Sequence, residues 1–509
     1  MVNRAEARPK PRTIIVGAGA AGMALAIMLR EAGFRDLVIY EKADEVGGTW
    51  RENRYPGVSC DVPSHHYNFS FEHNPGWSSR LAGGAELQDY MLKVCKKYDL
   101  RRDIVFGQEV REARFDGARW HIKTDKGLED SAEFFVPATG PLHVPKLPAI
   151  PGLDAFEGEC FHTARWPDEL DLKGKRVGII GNGSSGTQVI TALANQGVDL
   201  TVFMRTPQWI FPMMNRRFGP RERNLVRRFP WLGRISGDFY QWFFEHVFAE
   251  AVIRPGWQRS LLQSGCRWNL SRIKDPHLRE ILTPKDEPLC KRLVMSWEFY
   301  PALSRPNVKI IRADVDRIDA NAVVDASGAA HPLDVLILAT GFDTRAYFRP
   351  INVINAQGVS VNDAWKQQTG AHLSTHVPGF PNFMILGGPF SPRGNFSAIA
   401  YSEAIAAHIV SVIRAAYENN WRSLAAKPDA MRAFIEMNRA QLPQTIWVTG
   451  CQSWYMDEKG VPETWTGTPD EFRDVMANWD PQDFDIVLQT DDAPHRTMPR
   501  ANAASLASR

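Results

Sequence analysis

A chain of 509 residues, 44% hydrophobic and 23% charged, is too long for one ordinary domain and has the balance of a soluble globular protein with two or three. Its net charge of +2 gives no global field that would draw it to nucleic acid or an anionic membrane, which leaves small molecules as the expected partners. The six cysteines (Cys60, Cys95, Cys160, Cys266, Cys290, Cys451) are scattered without a C-x-x-C pair, so neither a disulfide framework, nor a structural zinc site, nor any location but a reducing cytoplasm is expected.

The start, MVNRAEARPKPR, is charged and leads into a strand without an apolar leader, and no run of about 18 apolar residues follows, so no signal peptide or membrane span is expected. The first informative stretch, TIIVGAGAAGMALAIMLREAG, reads strand, tight turn, helix, with Gly17, Gly19 and Gly22 around Ala20 and Ala21. Such a turn aims backbone N–H groups and the positive end of a helix at a pyrophosphate. LVIYEK then gives a second strand ending at Glu41 and Lys42, and a carboxylate there suits a ribose diol, so the site reads FAD or NAD. A β-rich excursion is expected near 104 to 137. PATGPLHVPKLPAIPG, with five prolines in sixteen residues, is a linker by composition.

Residues 176 to 205 repeat the pattern with Gly181, Gly183 and Gly186. From Gly17 to Glu41 is 24 residues and from Gly181 to Arg205 is again 24, but acid has become base. A guanidinium pairs with a 2′-phosphate, so this site reads NADPH. Between about 215 and 282, Phe239, Trp242, Phe243, Val247 and Phe248 recur at helical spacing in an inserted helical subdomain. Core packing against the parent domain is the expected use of that stripe, in preference to a membrane surface. The adjacent His65 and His66 point to opposite faces of an extended chain, and no metal site is expected.

GGTWRENRYPGVSCD resembles the G-G-x-W-x4-Y-P-G-x3-D signature of type I Baeyer-Villiger monooxygenases, and FEGECFHTARWP resembles their F-x-G-x3-H-x3-W-P fingerprint; both match at every fixed position. Trp166 and Pro167 separate that branch from the N- and S-oxygenating flavin monooxygenases, which remain the alternative together with a non-catalytic nucleotide-binding module. The resemblance implies FAD, NADPH and O2, conversion of ketones to esters or lactones through a C4a-peroxyflavin, and a side activity on sulfides. It places Gly48, Thr49, Trp50, Asp61, Tyr67 and Val110 at the FAD. Ser184, Ser185, Thr187, Thr206, Lys291 and Trp454 fall at the NADP. PLCKRLVMS supplies Arg292 as the catalytic cation, fixed by Asp61, because a guanidinium keeps its charge at any working pH. His162 is expected to bond across a hinge. Arg393 and Pro141 depart from the family pattern near the expected meeting place of substrate and flavin, and loops 61 to 67, 290 to 296, 345 to 350 and 390 to 397 are expected to shape the pocket.

The fold expected is α/β, with two Rossmann-like dinucleotide-binding domains. FAD-binding parts are expected at 1–148 and 341–490, and NADP-binding parts at 149–214 and 283–340. The helical insertion occupies 215–282, and a disordered tail is expected at 491–509.

Overall fold

The computed structural model describes residues 8–394, 396–451, 453–454 and 456–489; the tail expected at 491–509 lies outside the described residues. Apolar four-residue runs build the first sheet. Its parallel strands lie in the order Ile104–Val105, Leu37–Tyr40, Thr13–Val16, Phe134–Pro137, and the last three are buried at every position. A parallel sheet must be covered on both faces, which is why these strands do not alternate apolar with polar. The helix Ala20–Glu31 covers one face and packs against the 21-residue helix Ala398–Glu418. By length and composition the longer helix could cross a membrane, but Ile399, Ile405, Ile409, Val412 and Ile413 are buried in the protein core, so it is an internal helix. The returning chain also adds the strand Asn352–Ile354 to an antiparallel meander of Val110–Phe115, Trp120–Thr124 and Glu129–Ala132.

The second sheet is wholly parallel, in the order Val308–Ile311, Asp199–Phe203, Arg176–Ile180, Val335–Leu338, Glu159–His162. The chain leaves the first unit and comes back along one seam: the Lys146 N–H donates to the Gly341 carbonyl and the Asp343 N–H to that of Val144, both at 2.9 Å.

The insertion contains the helices Pro220–Arg228 and Pro230–Phe243, a wider π-helical turn Phe244–Ala249, and the helix Trp257–Ser271. Its aromatic stripe is not all core. Val247 and Phe248 are buried, whereas Phe239 is 57% and Trp242 52% exposed. Buried Gly233 and Gly237 carry the packed face instead, because a Cβ on Gly237 would stand 2.4 Å from the His65 carbonyl oxygen.

The cysteine reading also needs correction. Cys290 and Cys451 are joined by a disulfide across 161 residues, while Cys60, Cys95 and Cys266 are buried thiols and Cys160 is exposed. The partners of a lone long-range bridge leave no spacing in the sequence to read.

Candidate functional site

The first glycine turn makes one wall of an open cleft. Gly17 has φ +105°, and a Cβ there would meet the Ala138 carbonyl oxygen at 2.8 Å. Gly22 serves packing: its Cβ would stand 2.0 Å from the Gly17 oxygen, so helix and turn close on each other only without a side chain. Gly19, at the N-terminus of helix Ala20–Glu31, faces Gly48 across the cleft floor, where a Cβ would be 3.7 Å from the Gly48 Cα. The Glu41 carboxylate accepts from the N–H groups of Ala18 at 2.7 Å and Ala43 at 2.9 Å, which fixes it at the rim. Gly17, Gly19, Ala20, Ala21, Glu41, Lys42, Gly48, Thr49, Trp50, Tyr67 and Val110 all line this cleft; Gly22 and Asp61 do not. A glycine cradle, a helix N-terminus and a fixed carboxylate are what an FAD diphosphate and ribose require, so the residues fit the group. Sequence reasoning missed His143 and Tyr401 on the opposite wall, which carry no local motif. Pro141 lies in this cleft, as do Phe348, Arg349 and Pro350 from a loop expected to shape the substrate pocket.

At the second turn, Gly181 repeats φ +105°, with a Cβ 2.4 Å from the Ala339 oxygen, and Gly186 would strike the Gly181 oxygen at 2.4 Å. Gly183 faces open space before Ser184 and Ser185, which begin the helix Ser184–Asn195. Thr187 is 1% exposed and donates to the Asn182 carbonyl, so it braces the turn from beneath and does not face a cofactor. Arg205 stands beyond the strand Asp199–Phe203 with its side chain 69% exposed, 3.8 Å from Asp314, and Thr206 beside it accepts from Asn182 at 3.2 Å. These residues fit NADPH.

The two units touch at the Tyr-Pro-Gly loop. Tyr55 Oη lies 3.0 Å from both Ser185 Oγ and Gln188 Oε1, and Gln188 donates back to the Ser59 carbonyl at 2.9 Å. His162 ends the strand Glu159–His162 edge-on to Phe342, at the seam where the chain returns; burial pulls its imidazole below the ordinary value, opposed by the Gly341 backbone. Trp166 packs edge-on against Phe161 in the core of the second unit.

Arg292 is gripped from two sides. Its Nε and Nη2 donate to Asp61 at 2.9 to 3.1 Å in a bidentate pair, and Nη1 donates to the Arg393 carbonyl at 3.2 Å. The Arg393 side chain turns away, 7% exposed, to the carbonyls of Thr344, Gly387 and Gly388 and over the Tyr347 ring. Any residue at 393 could offer that backbone carbonyl; what the arginine adds is this buried side-chain bracing of the loop. Lys291 is held 2.6 Å from Asp286, and Trp454 packs in the cluster around the Cys290–Cys451 bridge.

Arg292, Asp61 and Lys291 border a chamber walled by Phe244, Phe248, Val252, Leu293, Phe396 and Trp447. Phe396 and Ser397 face the chamber while Ala398 and Ile399 face the first cleft, so the two spaces adjoin at the start of one helix. Phe244 and Phe248 come from the insertion and Trp447 from far along the chain. The only sequence signal for Phe248 was a helical spacing that did not say which face was inward, and Phe244 lay outside that spacing. His66 also borders the chamber, its imidazole pushed down to about 4 by burial and by the charge of Arg473.

Residues 14–224 match the family described as pyridine nucleotide-disulphide oxidoreductase. An uncharacterised monooxygenase of Mycobacterium tuberculosis is 44% identical over 94% of this chain and 96% of its own. A Baeyer-Villiger monooxygenase of Streptomyces coelicolor is 35% identical over 94% of this chain and 92% of its own. The crystal structure of cyclohexanone monooxygenase from Rhodococcus bound to NADP+ superposes with a TM-score of 0.83 at 29% identity, covering 94% of this chain and all of that one. With a dinucleotide cleft adjoining a chamber that a clamped arginine borders, this chain is an FAD- and NADPH-dependent ketone monooxygenase and belongs to the Baeyer-Villiger monooxygenase family.

Proposed function

We propose that the protein oxidises bulky, apolar ketones, cyclic or aryl, to lactones or esters, with sulfides as secondary substrates. The observation that carries this is the fixed Arg292 cation at the edge of an aromatic chamber. FAD, reduced by NADPH, supplies the oxygen-activating chemistry when bound. Aromatic walls exclude water and orient an apolar ring. The Arg292 charge faces the carbonyl oxygen as it becomes an oxyanion, and Asp61 with the Arg393 carbonyl keeps that charge from swinging away. A guanidinium also has no proton to lose at working pH, so the charge persists through turnover. A sulfide develops no oxyanion, so it depends less on Arg292.

The test is Arg292→Ala assayed on a panel of cyclic, aryl and linear ketones beside an aryl sulfide. The variant should bind FAD and be bleached anaerobically by NADPH. Ester yield should fall about 100- to 1000-fold, the loss usual for one fixed oxyanion partner, with NADPH consumption ending in hydrogen peroxide and sulfide oxidation less affected. Ester formation above about a tenth of the normal rate, a barrier change under about 1.4 kcal/mol, would remove Arg292 from this role.

A further inference from the structure

The insertion's helix Pro230–Phe243 is built inside out. Trp231, Ile235, Phe239 and Trp242, at spacings of four, four and three, form one stripe, and each is between 52% and 58% exposed. The face turned to the protein carries Gly233 and Gly237. The helix is not loosely placed, since Gly237 sits so close to the His65 backbone that no side chain would fit. A helix that needed only to pack would bury its large residues and expose its small ones.

The surroundings are strongly basic. Residues 216 to 238 carry seven arginines and two acids, Glu222 and the exposed Asp238. Arg216 pairs with Glu222, and Arg223 donates to the Gly76 carbonyl. Arg217, Arg221, Arg227, Arg228 and Arg234 are exposed, and none is ion-paired among the described residues. The net charge of +2 conceals this concentration because acids elsewhere balance it.

We infer that this face docks on an anionic lipid surface, lying in its plane with the aromatic stripe among the acyl chains and the arginines at the headgroups. Tryptophan and phenylalanine beside arginine are the composition of an interfacial helix, and a helix of 14 residues spans about 21 Å, enough to lie in a bilayer surface but not to cross it. A second copy is the weaker occupant, because a twofold contact through the stripe would bring the same arginines against one another. The proposal rests on the apolar-substrate reading in one respect: the helix runs without a break into the π-helical turn whose Phe244 and Phe248 wall the chamber, so the docked face and the chamber belong to one rod. An enzyme placed in this way draws ketones from the phase in which apolar molecules collect.

The test uses the full-length FAD-loaded enzyme and flotation with vesicles of phosphatidylcholine, alone or with about one third phosphatidylglycerol. Binding to the anionic vesicles should be at least about tenfold tighter and should weaken as salt shortens the Debye length below about 10 Å. Trp231→Ser with Trp242→Ser should lose binding about tenfold or more. Arg227→Glu with Arg228→Glu should lose the preference for anionic lipid. Both should keep FAD and the ketone-dependent NADPH oxidation measured without vesicles. Absence of flotation with either vesicle, or equal flotation of the tryptophan variant, overturns the inference. A dimer in sedimentation that the tryptophan variant dissociates also overturns it and assigns the face to a second copy. A parent enzyme that floats with anionic vesicles but oxidises none of the bulky apolar ketones would instead count against the proposed function alone.

Discussion

Arg205 and Glu403 show how far a single side chain can be argued. The sign change from Glu41 to Arg205 marks the second cleft for a 2′-phosphate, but at 69% exposure the contact is largely screened. Arg205→Ala should raise the KM for NADPH about tenfold, the low end of a charge-assisted bond at about 1.5 kcal/mol, and leave that for NADH within a factor of two or so. Equal KM changes for the two donors would contradict the assignment. Glu403 accepts from the Ser70 N–H and hydroxyl in a cleft shared with His65, His66, His73, Asp238, His408 and Arg473, and burial pushes its carboxyl up to about 7. The fold therefore favours the protonated form: its contribution is complete below the ordinary value of 4.5 and is lost as pH rises through about 7. Glu403→Gln keeps an acceptor for Ser70 without the charge. Its Tm should match the parent at pH 4 and exceed it by about 2 °C above pH 7, and an unchanged difference across that range would show that Glu403 ionises freely.

Elements differ in how openly the sequence declares them. The two glycine turns were readable because backbone approaching backbone admits no other residue: a Cβ at Gly22 or Gly186 would strike the carbonyl oxygen of Gly17 or Gly181. Thr187 was misread as facing cofactor since motif position alone does not say which side of a helix is buried. The same ambiguity hid the inverted helix Pro230–Phe243, whose spacing is identical whether its aromatics face in or out. The Tyr-Pro-Gly loop has a structural task that its signature does not reveal. Gly57, at φ +82°, lies so close to helix Ser184–Asn195 that a Cβ would meet the Gln188 carbonyl oxygen at 2.8 Å and the Ala192 Cβ at 3.1 Å. Gly57→Ala should push the loop off that helix, destabilising the protein by about 1 to 3 kcal/mol. Anaerobic bleaching of bound FAD by NADPH should slow about tenfold because donor and acceptor are no longer aligned. Full FAD content with an unchanged bleaching rate would confine the loop to a stabilising role.

For the molecule as a whole, the fold class was legible because each dinucleotide unit repeats a local pattern, while the chamber was legible only in part: Asp61, Arg292 and Phe396 come from loops expected to shape the pocket, whereas Phe244 and Trp447 are joined to them only by tertiary packing. The Cys290–Cys451 bridge escaped for the same reason, and it gives a direct measurement. A thiol reagent should find one accessible cysteine in the native protein, Cys160, then four after denaturation and six after reduction. Six without reduction would show the pair open. The first sheet uses strands from the opening 137 residues, yet the helix Ala398–Glu418, which packs on its covering helix Ala20–Glu31, comes after the entire second unit. The strands of the second sheet, by contrast, all fall between residues 159 and 338. During synthesis the ribosome must therefore release a complete NADPH-binding sheet while the flavin cleft still lacks a wall. That wall, from Ala398 to Ser402, emerges only with roughly four-fifths of the chain made. A nascent chain that has not reached Ala398 thus lacks one wall of the FAD cleft, and the oxygen-activating half of the enzyme is the last to be completed.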